Sequence, residues 1–455
     1  GAIVAVGAAK LAQPSARGEV QPTPPSTGEL SRTAGRSRQA VAVVSGLFAV
    51  GGALLVVAID APTPWPTHDA DAEAVSTDLP ETPIDPAALA ANWPAFRGPG
   101  GLGLAPDRQP PTQWNAAEGR NILWTTPIEL PGHSSPVVWG DRVFITAADK
   151  SRRAVLCFSL VDGRKLWEVR VNLPESASAE PPQIMEDTGY AAPSPATDGH
   201  RVYAIFANGD LIALDFDGNE VWHKAYGTPS DMYGHSSSLI CHRNRVIVQM
   251  DQADEHRADT LTCFDGPTGD VVWEVRREVE GSWASLCLAT AAGREQLITI
   301  ADPWAIAYNP SDGAELWRCK GFSGDVASSP TIAGDAALLI SPSYQLVAVQ
   351  AAASGEVTDA QVAWRAEGQV PDVTSPVADS QHVYTLTTFG ELLARRLTDG
   401  QIVWQKEIDA DFRASPVLAD GRLYLFDNKG RGYVIDPADG RVLGGGPTGA
   451  PVAAT

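Results

Sequence analysis

The chain has 455 residues, with 34 Lys+Arg against 55 Asp+Glu and a net charge of -21. That balance excludes a general nucleic-acid binder and a protein lying broadly on anionic lipid, since both need a basic face. Five scattered cysteines do not make a disulfide scaffold, while 42 Gly, 35 Pro and 13 Trp point to many turns and a recurring large aromatic, the mark of an internal repeat.

Residues 1–38 are rich in Pro, Ser, Gly and Ala, without a sustained helical or strand period, and read as a disordered tail. Segment 39–59 contains an uncharged run from Ala40 to Ile59, AVAVVSGLFAVGGALLVVAI. At about 1.5 Å per residue it is long enough to cross a hydrocarbon core of ~30 Å, which predicts a single transmembrane helix. A buried core helix or a cleaved signal peptide are the other uses of such a run. Arg32, Arg36 and Arg38 precede it, and seven acids from Asp60 to Asp85 follow it with no Lys or Arg up to residue 90. The positive-inside rule therefore predicts a cytoplasmic tail and an extracytoplasmic, periplasmic location for everything after residue 60. Residues 60–91 form an acidic, Pro-rich linker, 92–120 a lead-in segment, 121–446 the folded domain and 447–455 a second disordered tail.

From about residue 120 the chain repeats. Trp124, Trp167, Trp222, Trp273, Trp317, Trp364 and Trp404 recur at intervals of about 40 to 55 residues, the spacing of four short strands per unit. Most units end alike: Cys263-Phe-Asp265-Gly-Pro-Thr268-Gly269-Asp-Val-Val-Trp273 is one copy and Ala307-Tyr-Asn309-Pro-Ser-Asp312-Gly313-Ala-Glu-Leu-Trp317 another. A small residue and a short polar one end a strand, Asp/Thr-Gly makes a tight turn, and an apolar run leads to the Trp. Such a Trp can wedge between neighbouring sheets. The fifth unit is degraded, with extra residues between Gly355 and Trp364, and the last carries Gly444 where Trp belongs. The units also start alike, as in Ser134-Ser135-Pro136, Ser194-Pro195, Ser328-Ser329-Pro330 and Ala414-Ser415-Pro416. The fold predicted is all-β, a seven-bladed β-propeller with eight blades as the alternative, preceded by one membrane helix and closed by strand 121–128 joining the last blade.

The A-x-D-x-x-T/D-G-x-x-x-W pattern resembles the tryptophan-docking motif of quinoprotein-type propellers. Residues 92–445 resemble the PQQ-binding-like repeat proteins, a WD40-like architecture, and the opening Asn92-Trp-Pro-Ala-Phe-Arg97-Gly98-Pro99-Gly-Gly-Leu-Gly103 is similar to the W-x-x-F-R-G-P-x-x-x-G segment that begins many members. The resemblance implies the propeller fold and two classes of activity. One is a quinoprotein-like oxidoreductase that binds pyrroloquinoline quinone (PQQ) over Ca²⁺; the other is a noncatalytic scaffold such as the assembly lipoprotein BamB. Quinoprotein dehydrogenases typically carry adjacent cysteines and a carboxylate-rich Ca²⁺ site. Here Cys157, Cys241, Cys263, Cys287 and Cys319 are never adjacent, and no dense carboxylate run stands out. Cys157 and Cys263 occupy the small-residue position of the repeat and read as packed residues.

Aligning the blade starts brings chemistry to one mouth of the central channel. His133, His235 and Arg413 share one position, and Tyr190, Tyr233, Glu280, Asp325, Asp372 and Asp411 stand just before it. Converging from several blades, they are candidates to bind a polar ligand or a protein partner; solvated loop polarity is the plainer explanation. Two histidines fall short of a metal site. Gly98–Gly101 precedes no helix and reads as a turn, and no hydrolase motif is present. The inserted loop 171–190 is a second place for partner contacts. The expectation is a protein-binding or assembly scaffold on the membrane, with no nucleic-acid partner, no catalytic residue, no metal and no cofactor; PQQ with Ca²⁺ is the alternative.

Overall fold

The structure, a computed structural model, describes residues 3–8, 84–106, 108–171, 183–186, 188–251 and 258–452. The span expected at 39–59 lies outside these residues, as do most of the tail, most of the linker and residues 172–182 of the inserted loop. Among the described residues no helix is long and apolar enough to cross a membrane.

Among the described residues, seven sheets of consecutive antiparallel strands follow one another: sheet 1 (137–170), sheet 2 (196–225), sheet 3 (240–277), sheet 4 (287–320), sheet 5 (331–367), sheet 6 (377–407) and sheet 7 (417–447). Each has four strands, with a fifth added in sheets 4 and 7. The second and third strands of each sheet are nearly all buried and read as continuous apolar runs, as in Val143–Ala148 and Leu211–Leu214, because both faces lie against neighbouring sheets. Outer strands such as Ile402–Glu407 alternate in exposure.

The repeat motif explains how sheets join. In the third–fourth strand pair the small residue stands directly opposite the Trp: Cys157 opposite Trp167, Ala213 opposite Trp222, Cys263 opposite Trp273, Ala394 opposite Trp404. The register shifts at the next residue, a bulge that re-aims the strand. Each indole N–H then donates to a main-chain carbonyl in the hairpin turn of the following sheet. Trp167 reaches Phe216 at 2.9 Å, Trp222 reaches Gly266 at 2.7 Å, Trp273 reaches Pro310 at 3.2 Å and Trp404 reaches Pro437 at 2.9 Å. The turn glycine is the seat for the ring: Gly269 has φ +73°, and a Cβ there would stand 2.7 Å from Trp222. All five cysteines are free thiols, and Cys157 and Cys263 are fully buried beside their Trp.

The degraded fifth unit departs for a structural reason. Its turn is replaced by strand Gly355–Glu356, which pairs in parallel with Glu315–Lys320 of sheet 4. Trp317 loses the turn carbonyl and donates instead to Gln296 Oε1 of its own sheet at 2.8 Å.

Three expectations are corrected at the ends of the chain. Strand Ile122–Ile128 does not complete the last sheet, which has its own outer strand, Val442–Pro447. It pairs in parallel with Ile3–Ala8, so residues 3–8 of the expected disordered tail are a strand; their alternating IVAVGA pattern suits one. Trp124 nevertheless docks on Leu160 of sheet 1 at 2.9 Å, as though Ile122–Ile128 were the outer strand of a sheet preceding it. The lead-in segment packs on sheet 7. Leu104–Ala105 pairs with the inner strand of sheet 7, Pro110 accepts from Tyr424 Oη at 3.1 Å, and Trp114, 2% exposed, packs against Tyr424, Val434 and Phe426. Gly444 stands where a Trp would be because its Cβ would overlap the Thr112 carbonyl. Finally, the expected C-terminal tail is pinned at its start: Thr448 N donates to Gly430 O at 2.8 Å and its hydroxyl donates to the same carbonyl at 2.8 Å.

Candidate functional site: the blade-start face

The inner strands begin on one face, and a ladder of serines holds them there. The amide of Ser135 donates to Ser194 Oγ at 2.8 Å, Ser194 to Ser238 at 3.0 Å, Ser238 to Ser285 at 2.9 Å, Ser285 to Ser329 at 2.9 Å, Ser329 to Ser375 at 2.9 Å and Ser375 to Ser415 at 3.0 Å. All seven serines are buried. The repeated Ser of the unit start therefore has a stated job: its hydroxyl accepts an amide that no inner-strand neighbour can satisfy.

Further along these inner strands runs a strap from Trp93 to Ala105. Trp93 bridges Val138 of sheet 1, the Pro94 carbonyl accepts from Thr197 of sheet 2 at 2.8 Å, and Gly103 O accepts from Leu418 of sheet 7 at 2.9 Å. Gly100 (φ +66°) and Gly101 (φ +74°) pass so close to the Leu288 and Leu286 carbonyls that side chains are excluded. The Gly-Pro-Gly-Gly run is thus a short 3₁₀ turn, Pro99–Gly101, shaped by backbone approach.

Arg97 of the strap is fully buried. Its Nη2 donates to the Pro376 carbonyl and, at 3.5 Å, to Leu102 O, while Nε and Nη1 have no acceptor among the described residues. Burial lowers its pKa to about 10, partly opposed by the nearby Cys287, whose own thiol burial pushes up to about 12.

The nine residues expected at the mouth sit just before these inner-strand starts. Glu280, Asp325, Asp411 and Arg413 are exposed. His133 is half-buried; its amide donates to Ala191 O at 3.0 Å, which brings it beside Tyr190. Tyr233 meets Trp283 edge-on, centroids 5.0 Å apart at 80°, and its amide donates to Asp231 at 2.7 Å. Desolvation raises the Asp231 carboxyl above its ordinary pKa. Asp372 accepts from the Thr388 hydroxyl. His235 is turned inward: it is 3% exposed, its Nε2 is 3.0 Å from Ser237 O, and burial lowers its pKa to about 4, so it is a neutral, structural histidine at pH 7. The described end of the inserted loop reaches this face, where Met185 N donates to Met232 O at 2.9 Å and both Met side chains are exposed.

Sequence reasoning missed Trp283, Asp231 and Arg97. Trp283 had one signal, an aromatic two residues before a unit-start serine; the burial of Arg97 had none, because nothing local shows what a strap will cover. Among the described residues no group of three or more His, Cys, Asp and Glu is arranged to hold a metal ion.

A family model described as outer membrane protein assembly factor BamB matches residues 104–253, 257–413 and 357–444. A relative called outer membrane protein assembly factor BamB, from Alkalilimnicola ehrlichii, is 26% identical over 224 residues, 49% of this chain and 52% of that protein. The chain thus spans about half the length of that relative. Among solved structures, quinohemoprotein alcohol dehydrogenase from Comamonas testosteroni is similar with a TM-score of 0.61 at 15% identity, covering 81% of this chain and 75% of that one. Quinohemoprotein alcohol dehydrogenase ADHIIG from Pseudomonas putida HK5 follows with a TM-score of 0.58 at 13% identity, covering 83% and 76%. At these identities the likeness to the two dehydrogenases speaks for the fold alone.

Proposed function

Because this chain belongs to the family described as outer membrane protein assembly factor BamB, we propose that it is a protein-binding or assembly scaffold. In this reading it is a seven-bladed β-propeller held at the inner membrane by a helix over 39–59, with the propeller on the extracytoplasmic side. Family membership carries the reading. The blade-start face supports it: a frame tied by the serine ladder presents exposed Glu280, Asp325, Asp411 and Arg413 and the end of the inserted loop. Rigid display of polar and apolar groups suits recognition of a partner surface.

The second reading, a quinoprotein-like oxidoreductase, draws on the fold likeness. Three features stand against it. PQQ is a flat, carboxylate-rich molecule, and the exposed mouth is mainly acidic. The strap and the buried Arg97 also run along the inner strands where a planar ring would have to sit. The five cysteines are separate.

The scaffold reading is tested by photo-crosslinking from Glu280 and Arg413 in envelope-intact cells, followed by identification of the captured protein and its recapture with purified components. A single envelope protein that is lost in the His133→Ala/Arg413→Ala variant is expected. No crosslinked protein from either site would overturn the reading. Purified chain titrated with PQQ and Ca²⁺ tests the alternative, since a true ligand raises Tm by mass action; an upward shift would favour the oxidoreductase. Protease added to spheroplasts is expected to digest the propeller, and protection there would reject the orientation.

A further inference from the structure

Turns between the second and third strands of each sheet lie on the blade-start face. Their tips are polar where only folding is at stake: Asn208 precedes Gly209 in sheet 2, and Lys429 precedes Gly430 in sheet 7. In sheet 6 the same place before Gly390 holds Phe389, which is 78% exposed. The corresponding turn of sheet 5 carries Tyr344, 55% exposed, and between the two turns lies Val373, 40% exposed.

Hydrogen bonds link the segments that carry these residues. Ser343 N donates to Pro371 O at 3.4 Å and Gly368 N to Tyr344 O at 2.9 Å, tying the sheet 5 turn to the linking loop. That loop carries Asp372, bonded by the Thr388 hydroxyl next to Phe389, and Thr388 O accepts from Phe412 at 2.8 Å, which holds the following loop. An exposed Phe and Tyr on stiff turns add nothing to folding that a polar residue would not, and contiguous exposed apolar area marks contact surfaces.

Charge selects the partner. Asp409 and Asp411 in the following loop are exposed, and so is Asp325, two residues from Ser323, whose amide donates at 3.3 Å to Ser341 Oγ, at the end of the second strand of sheet 5. None of the three carboxylates makes an ion pair or side-chain hydrogen bond among the described residues. Arg413 stands at the edge of the same loop. A second copy of a chain with net charge -21 would bring acid against acid.

We propose that Tyr344, Val373 and Phe389 form a docking patch for a partner protein's segment in which bulky apolar residues are flanked by Lys or Arg. The proposal rests on the scaffold reading and deepens it. The aromatic tips supply the anchors, and Asp325, Asp409 and Asp411 pair with the flanking cations at the rim.

The test titrates the full chain with three labelled peptides that share one Leu-Phe core and are flanked by Lys, Glu or Ser. The Lys-flanked peptide is expected to bind most tightly and to weaken as salt rises. Phe389→Ser/Tyr344→Ser should raise its Kd about tenfold or more, with Tm unchanged because both side chains are exposed. Asp409→Asn/Asp411→Asn should remove most of the preference for Lys over Ser. Equal binding of the Lys and Glu peptides, or wild-type affinity in Phe389→Ser/Tyr344→Ser, overturns the proposal. So does self-association of the wild-type chain that Phe389→Ser abolishes, which would make the occupant a second copy. In cells, a partner crosslinked from Glu280 but not from position 389 overturns the patch and leaves the scaffold reading standing. No partner from either position overturns both.

Discussion

The main-chain amide of Ser285 donates to the hydroxyl oxygen of Ser329 in the next sheet at 2.9 Å, and both residues are buried. Ser329→Ala removes the acceptor and leaves the amide unsatisfied, at a cost of about 1–3 kcal/mol. Denaturant unfolding should show a lower midpoint with an unchanged slope. Hydrogen exchange at the Ser285 amide should quicken more than at amides of the second and third strands. An unchanged midpoint would mean that water replaces the hydroxyl and that the ladder is not structural.

The strap makes a sharper prediction. Gly100 has φ +66° and no room for a Cβ beside the Leu288 carbonyl, whereas Gly119 has the same φ and nothing within 4 Å. Gly119→Ala should cost only about 1 kcal/mol of backbone strain. Gly100→Ala adds overlap to strain and should cost at least about 2 kcal/mol more. Thermal melts of the pair separate the two effects.

Arg97 is a buried cation whose Nε and Nη1 have no acceptor among the described residues. A buried charge without a counter-charge stabilises little beyond its packing. Arg97→Met, which keeps the volume, should lie within about 1 kcal/mol of wild type. Arg97→Ala opens a cavity and should lose about 2–4 kcal/mol. Equal, large losses in both would show that the guanidinium is held by a counter-group after all.

His235 makes folding pH-dependent. Its pKa is about 4 in the folded protein, lowered by burial, against ~6.5 when unfolded. Below pH ~6.5 the unfolded chain takes up the proton and the folded chain does not, so stability falls as pH drops from about 6.5 towards 4. The contribution lost by pH 4.5 is about 2–3 kcal/mol. His235→Gln should shrink the difference in unfolding free energy between pH 7 and pH 4.5 by roughly that amount; an unchanged difference would show that His235 is protonated without unfolding.

Much of the architecture was legible because it is local and repeated. A small residue, a short polar side chain, Gly and Trp recur in register, and each has a job that sequence spacing reveals: cross-strand partner, turn former, ring seat and wedge. The unit-start serines were legible as a pattern, while their bonding was not, since each bond joins residues about 40 to 60 positions apart. The degraded fifth unit was visible as extra residues, yet only the fold shows them becoming an edge strand on sheet 4. Closure was misread for the same reason. Trp124 recurs at the repeat spacing without a unit of its own before it, and the sequence does not show that the lead-in segment, through Trp114, packs on sheet 7.

The mouth divides along the same line. Strand direction is inherited from the repeat, so aligned unit starts are enough to expect His133, Tyr233, Glu280 and Asp411 on one face. Whether a residue then faces solvent or core depends on its neighbours in the adjoining sheet, and this turned His235 inward and left Glu280 exposed. The repeat, its turns and the acidic balance can be read without the fold, since all are properties of short windows or of simple sums. Burial of Arg97, the packing of the lead-in segment on sheet 7 and the exposure of Tyr344, Val373 and Phe389 follow only from the fold, because each depends on contacts between segments far apart in the chain.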